Sequence, residues 1–192
     1  MTDMTTETGT ETVALDAYPE GAQVSASKPL YGEIVDFLFK EVRLLDRDEH
    51  SEWLNMLADD ITYRMPARAS LYRRDGRGFT EKGMHFNDDR SGLELRVRRN
   101  VEVPSAYDRD PAPRVRRMVS NIEVFESPIS DEWEVISSLL LLRNRFDNVN
   151  WDILSGVRRD VIRRSPEGFR LAKRTILVDQ SLLGAPWINV FM

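Results

Sequence analysis

Two stretches of this chain carry side chains that metal or acid–base chemistry would use. The first places three carboxylates and one histidine within five residues: Asp46, Asp48, Glu49 and His50. The second contains His85, which would complete an acid–base set if the fold brought it to Tyr63 and Asp46. Both stretches also have a simpler interpretation, in which Asp48 caps a helix, its neighbours are solvated and His85 is structural. We therefore expect no catalytic, cofactor-binding or metal-binding residue here.

The composition excludes several classes of function. The chain has 192 residues, no cysteine and two histidines. It therefore forms no disulfide, no zinc–thiolate site and no cysteine-ligated iron–sulfur cluster of its own. Its sequence contains neither a glycine-rich phosphate motif nor a nucleophile elbow. No apolar run approaches the roughly 20 residues that span a bilayer. Without a secretory signal at its N-terminus, the chain is expected in the cytoplasm and away from membranes.

The net charge of −5 is concentrated in the first 27 residues. This segment contains no Lys or Arg, and its acidic residues are Asp3, Glu7, Glu11, Asp16 and Glu20. The remainder is formally neutral and lacks the positive field of a nucleic-acid-binding protein. We expect residues 1–27 to be an acidic, Thr-rich tail that is disordered or ordered by a partner. Residues 28–192 are expected to form a single domain.

Basic side chains are dense between Gly156 and Arg174, which would suit a nucleic-acid site if they shared one face. The stretch reads as a strand, however, and neighbouring side chains of a strand point to opposite faces. Arg158 and Arg164 then face one way, and Arg159 and Arg163 the other. Neither face is a basic stripe, and acidic residues lie nearby to pair with the arginines: Asp152, Asp160 and Asp179. We predict no nucleic-acid binding and a structural or interface role instead.

Helical periodicity precedes strand periodicity along the chain. A helix is predicted from Pro29 to about Arg47, with a short second helix capped by Asp48. A strand ending at Pro66, a loop over 67–78 and the short strand "FTEKGMHF" follow. Asp88 and Asp89 are then predicted to cap a third helix. Four strands begin at Arg114, with a tight turn at 165–168, and "PWINVFM" is predicted as a last strand. The order predicts an α+β fold with helices on one face of the sheet.

The run Leu139–Leu142 is apolar on both faces of its predicted strand. Because helices would cover only one face, we expect another subunit to cover the other. The alternative is a short apolar stretch beneath a loop. The predicted subunit interface comprises nine residues: Leu139, Leu140, Leu141, Leu142, Trp151, Arg158, Arg159, Arg163 and Arg164.

Four segments in this order resemble the small (β) subunit of Rieske-type aromatic-ring-hydroxylating dioxygenases. They are "FLFKEVRLLDRDEHSEWLNMLADDITYRMP", "RVRRMVSNIEV", "DILSGVRRDVIRR", and "FRLAKRTILVDQSLL" with the closing "INVFM". The resemblance covers nearly all of the chain from Pro29 onward. The run "SSLLLL" and the acidic tail depart from the family pattern, which leaves the substrate open.

The resemblance implies a cone-shaped fold of the nuclear-transport-factor-2 type, with N-terminal helices on one face of a curved, mainly antiparallel sheet. It implies a complex of three large and three small subunits, in which this chain contacts the large subunit and other copies of itself. The large subunit would carry the Rieske iron–sulfur cluster and the mononuclear iron. The complex would convert aromatic compounds to cis-dihydrodiols with electrons from NADH, and this chain would be structural.

Two other functions remain open from the sequence. One is a stand-alone dehydratase- or isomerase-like enzyme that uses the cone for acid–base chemistry. The other is a general protein-binding module.

Overall fold

The helices of this protein lie against a six-stranded sheet in the computed structural model, which describes residues 17–72, 74, 78–102, 112–184 and 190–192. The helices are α1 (Pro29–Asp46), α2 (His50–Leu54) and α3 (Arg90–Glu102). The strands are β1 (Leu57–Arg68), β2 (Phe79–Asp88), β3 (Arg114–Glu126), β4 (Glu132–Asn144), β5 (Asp152–Ser165) and β6 (Gly168–Val178). The predicted α+β class is confirmed, and the elements follow the predicted order as far as β6.

The sheet has the strand order β2-β1-β6-β5-β4-β3. All neighbouring strands are antiparallel except β1 and β6, which are parallel. Helix α1 packs on β3, and α3 packs on β1 and β2. The side chains between helices and sheet form one hydrophobic core. We call the helix-covered side of the sheet the inner face and the opposite side the outer face.

Helix α1 follows the apolar spacing that predicted it, with one exception. Pro29 occupies its first turn, where the missing N–H has no helical partner to lose, and Ile34, Phe37 and Leu38 are buried. The exception is Glu41, which is buried on the same face although it is charged, whereas its apolar neighbour Val42 is half-buried. An isolated buried charge is costly, so Glu41 must have buried partners.

One of the two predicted helix caps is wrong. Asp48 has a left-handed backbone conformation (φ 58°), and Glu49 precedes α2 without a side-chain capping bond. Asp48 therefore ends the turn after α1, a conformation that aspartate tolerates better than most residues. At α3 the prediction is confirmed, since the Asp89 Oδ1 accepts the Gly92 N–H at 2.9 Å. Asp88 instead pairs with Arg96 at 2.9 Å.

Strand β1 continues past Pro66 to Arg68, so the predicted loop over 67–78 begins too early. Register shifts against β2 lie on both sides of Pro66. This placement suits a residue that cannot donate a ladder hydrogen bond, because an irregularity removes the need for one.

The C-terminal strand prediction is wrong for residues 190–192 and otherwise lies outside the described residues, as does Trp187. Residues 190–192 form no strand, yet all three are buried. The predicted turn at 165–168 is confirmed: Ser165 pairs with Gly168, whose φ of 119° is a glycine conformation.

Candidate functional site

A network of charged side chains fills part of the space between α1 and the inner face. The guanidinium of Arg174 on β6 donates to Asp160 on β5 at 2.7 and 2.8 Å, and to the Glu41 Oε2 on α1 at 2.9 Å. Arg158 on β5 donates to the same Glu41 oxygen at 3.3 Å. All four residues are buried, so this network joins α1 to two strands through the core.

The electrostatics of the network follow from the balance of burial and pairing. Burial alone would raise the pKa of Glu41, but the nearby Arg174 and Arg158 outweigh it, and the pKa is lowered. Burial would lower the pKa of Arg174, but Asp160 and Glu41 raise it well above the usual value. The pKa of Arg158 is lowered by burial and by Arg174. Arg174 is therefore the central cation of the network, and Arg158 is the less compensated one.

The last described residues of the chain enter the same interior. Arg117 on β3 donates two hydrogen bonds to the main-chain oxygen of Phe191, at 2.9 and 2.7 Å, and one to Asp46 at 2.7 Å. The Tyr63 hydroxyl donates to the main-chain oxygen of Met192 at 2.9 Å and accepts its N–H at 2.7 Å. Burial raises the pKa of Tyr63 to about 12. Residues 190–192 are thus fixed by buried polar groups from β1 and β3.

Aromatic rings pack beside these polar contacts. The Phe191 ring lies 4.5 Å from Trp53 and 5.5 Å from His50 between ring centroids. The centroids of Tyr63 and of Phe86 on β2 lie 5.6 Å apart. Phe191 is therefore held in the interior by both its main-chain oxygen and its ring.

The acid–base set considered from the sequence is not brought together. Tyr63 is bound to Met192 and Asp46 to Arg117. Within the described ranges, the structure gives no hydrogen bond, ion pair or ring contact between His85 and either of them. His85 is half-buried on β2, beside the inward-facing Phe86.

The side chains of the acidic stretch near His50 contact different partners and do not converge on one site. His50 is buried rather than solvated, with its Nε2 3.7 Å from the Asp48 carboxylate. Asp46 lies with Arg117, and Glu49 lies 3.8 Å from Arg47. Across the described part of the chain, no group of three carboxylate or histidine side chains is placed to hold a metal ion.

The predicted alternation of the arginine-rich strand is confirmed. Arg158, Asp160 and Ile162 are buried on the inner face. Of the three acidic residues expected to pair with the arginines of this run, Asp160 does so, with Arg174 at 2.7 Å. Asp152 and Asp179 pair instead with Arg143 at 3.1 Å and Arg68 at 3.4 Å, both outside the run.

Three of the nine predicted interface residues are not available to a partner. Leu139, Leu141 and Arg158 are 2%, 0% and 0% exposed, because their positions in β4 and β5 point to the inner face. They belong to the chain's own core. The six that retain exposed surface are Leu140, Leu142, Trp151, Arg159, Arg163 and Arg164.

The remaining arginines on β5 have partners in the chain. Arg163 forms a two-pronged pair with Asp60, at 2.8 and 3.0 Å, and also donates to Glu132 at 2.6 Å. Arg164 pairs with Glu33 at 3.2 Å and lies over the Phe169 ring at 4.7 Å. The exposed parts of Arg163 and Arg164 can still contact another subunit, but their charges are already paired within the chain.

An apolar patch on the outer face is the clearest exposed feature of the sheet. Leu140 faces Met118 on β3 and Ser155 on β5, and Leu142 faces Ile153. Met118 and Ile153 are 47% and 55% exposed. We call these four residues, Met118, Leu140, Leu142 and Ile153, the outer patch. Such a contiguous apolar surface commonly marks a contact with another protein chain.

A helical layer on one face of a six-stranded, mainly antiparallel sheet is the architecture of a cone-type α+β protein. A putative scytalone dehydratase from Novosphingobium aromaticivorans shares the fold, with a TM-score of 0.57 and 15% identity over 82% of this chain and 89% of that one. The naphthalene 1,2-dioxygenase structure contains a chain that matches with a TM-score of 0.74 and 21% identity, over 84% of each chain. The benzoate 1,2-dioxygenase β subunit from Burkholderia mallei matches with a TM-score of 0.63 and 23% identity, over 77% and 89%. The predicted cone fold is confirmed.

Sequence comparison identifies the protein family to which this chain belongs within the cone-type fold. The model for the ring hydroxylating beta subunit matches residues 40–185. The chlorobenzene dioxygenase β subunit of Cupriavidus sp. (strain PS12) is 36% identical over 84% of this chain and 88% of its own length. The benzene 1,2-dioxygenase β subunit of Pseudomonas putida (strain F1) is 35% identical over the same shares. The chain belongs to the ring-hydroxylating dioxygenase β-subunit family.

Proposed function

We propose that this chain is the structural small subunit of an aromatic-ring-hydroxylating dioxygenase and that it holds the large subunits in register. The observation that carries the proposal is its 36% identity to the chlorobenzene dioxygenase β subunit along most of both chains. The interior ion pairs and hydrogen bonds support a structural role, because Glu41, Asp160 and Tyr63 are each held by other groups of the chain. Co-expression with a large subunit tests the proposal: the two should purify together, and the large subunit alone should lose most of its activity.

The redox chemistry would reside in the partner. A Rieske cluster needs two cysteines and two histidines, and this chain has no cysteine. The residues present therefore do not fit that cluster. We propose that the large subunit binds the Rieske cluster and the mononuclear iron, and that the complex adds both atoms of O₂ to an aromatic ring with electrons from NADH. The proposed product is a cis-dihydrodiol.

The proposal extends to assembly and location. We propose three large and three small subunits, with small subunits in contact with large ones and with each other, in the cytoplasm. The outer patch supports a protein partner, since it leaves apolar side chains uncovered in the single chain. None of the described helices is both long and apolar enough to cross a membrane. The mass of the co-purified complex, measured by light scattering, tests the stoichiometry.

Purified alone, the chain should contain no stoichiometric iron or zinc. The physical reason is the lack of cysteine together with the separation of its acidic and histidine side chains into ion pairs and packing contacts. Elemental analysis after treatment with a chelator provides the measurement. Close to one metal ion retained per chain would contradict this prediction.

The competing function is acid–base catalysis within the cone. The observation that favours it is the similarity in fold to a putative scytalone dehydratase. If the chain is structural, His50→Ala and His85→Ala should each leave the turnover of the complex within a few-fold. Acid–base groups typically contribute about 10²–10⁴-fold. His50→Ala should also lower the melting temperature of the chain, because the ring is buried against Phe191. A loss of turnover of at least about a hundredfold in an intact, folded complex would favour the enzyme interpretation.

A further inference from the structure

A cleft of about 620 Å³ opens on the outer face, across β4, β5, β6 and β1. Residues 17–21 form one wall of the cleft, and the sheet forms its floor. Arg64, Arg159 and Lys173 line it together with two acidic residues, the exposed Glu20 and the half-buried Glu134. Asp160 also borders the cleft, but its carboxylate is held by Arg174 in the interior.

The three cations lie close together because of the strand register. Thr175 on β6 pairs with Arg64 on β1 and with Arg159 on β5, so these two arginines flank it in one cross-strand row. Lys173 is two residues from Thr175 on β6 and therefore points to the same face. The structure gives neither Arg64 nor Lys173 an ion pair with any residue that it describes. The cleft therefore carries cationic groups that are available to an acidic ligand.

The chain that enters this cleft is anchored at its rim. The main-chain oxygen of Ala17 accepts a hydrogen bond from Arg159, and the Tyr18 ring packs on Phe125 at 5.5 Å. The Glu126 N–H donates to the Ala22 oxygen at 2.9 Å. Gly21 is required there, because a Cβ would lie 1.8 Å from the Glu126 oxygen. These contacts fix the position of Ala17, the residue to which residues 1–16 are attached.

We propose that the acidic residues 1–16 dock in this cleft of their own chain. They carry four carboxylates and no Lys or Arg, namely Asp3, Glu7, Glu11 and Asp16. Opposite charge on the cleft favours this segment over a basic or apolar one. Attachment at Ala17 gives it a high local concentration, so weak exposed ion pairs suffice.

The length of the segment permits the contact. Arg64 and Arg159 are separated by one strand, a distance of about 10 Å between their strands. An extended chain covers about 3.3 Å per residue, so a few residues beyond Ala17 reach Lys173 and Arg64. In the sequence, Asp16 directly precedes Ala17, and Glu11 comes five residues before Asp16.

The test is zero-length carbodiimide crosslinking of the full-length chain, with Lys173 as the reporter amine. Unlabelled and nitrogen-15-labelled chains are mixed before the reaction, so that mass spectrometry separates bonds within a chain from bonds between chains. A Glu20→Gln background removes the acidic residue already present on the cleft wall. The expected product joins Lys173 to Asp3, Glu7, Glu11 or Asp16 of the same chain. Lys40, exposed on α1, is the internal control and should not react with these residues.

Arg64→Gln removes one cleft cation and leaves the reporter in place. It should lower the Lys173 yield about two- to fivefold, the effect of losing an exposed ion pair. Arg98→Gln, exposed on α3, is the matched control and should leave the yield unchanged. The proposal is overturned if residues 1–16 give no bond to Lys173 within a chain, or give such bonds only between chains. It is also overturned if Arg64→Gln and Arg98→Gln have the same yield.

Discussion

Replacing Arg174 with methionine should lower the free energy of unfolding by about 3–5 kcal/mol, the usual loss when one partner of a buried ion pair is removed. The variant leaves Glu41 and Asp160 buried without their central cation. It also removes the bond from Arg174 to the Met192 oxygen at 2.7 Å. Urea unfolding followed by the fluorescence of the buried Trp53 gives the measurement.

Arg170→Met is the matched control for this variant. Arg170 lies on the same strand, but its ion pair is with the exposed Glu167 near the turn. An exposed pair is worth about 0–1 kcal/mol, so this change should barely move the unfolding midpoint. Equal losses in the two variants would contradict the structural role assigned to the network. The free energy of unfolding of Arg174→Lys should lie between those of wild type and Arg174→Met, because lysine keeps the charge but cannot form the bidentate hydrogen bonds.

Replacing Leu140 with aspartate should abolish assembly with the large subunit while leaving the fold of the chain unchanged. Leu140 is 36% exposed at the centre of the outer patch. A charge buried without a partner at that contact costs about 3–5 kcal/mol, and a symmetric complex repeats the cost at each copy. Circular dichroism measures the fold, and gel filtration of the co-expressed subunits measures the assembly.

Leu141→Asp is the informative comparison, because Leu141 is the next residue on β4 and is 0% exposed on the inner face. Aspartate there should unfold the chain itself. If Leu140→Asp also unfolds the chain, the outer patch belongs to the fold. If Leu140→Asp assembles normally, the patch is not an interface, and the proposed contact has to lie elsewhere on the chain.

Local periodicity predicts most of the elements but little of the interior. The spacing of three and four residues locates α1, and alternation places Arg158 and Arg159 on opposite faces of β5. This spacing does not predict that Glu41 is buried, because a charged residue next to apolar ones is normally assigned to the boundary of the apolar face. Its partner Arg174 lies 133 residues away in the chain, and local patterns carry no information about so distant a contact.

The C-terminal residues and the caps show two further limits of the sequence. "PWINVFM" has the composition of a strand, but residues 190–192 are held by Tyr63, Arg117 and Arg174 rather than by a neighbouring strand. Asp48 and Asp89 are the same residue type before a helix, and only Asp89 has a backbone that lets its carboxylate reach the helix N–H groups. The backbone conformation decides which of the two aspartates caps its helix, and the residue type alone does not determine that conformation.

The parallel pairing of β1 with β6 sets the order in which this chain can fold during synthesis. Tyr63 on β1 pairs with Arg174, 111 positions further along the chain. Strand β1 therefore leaves the ribosome long before its neighbour exists, and one of its edges must wait unpaired while about a hundred residues are added, at some 5–20 residues per second. Such a high contact order slows folding and exposes a strand edge to other nascent chains. Slowing translation after β1 should therefore increase aggregation more than slowing it after β6.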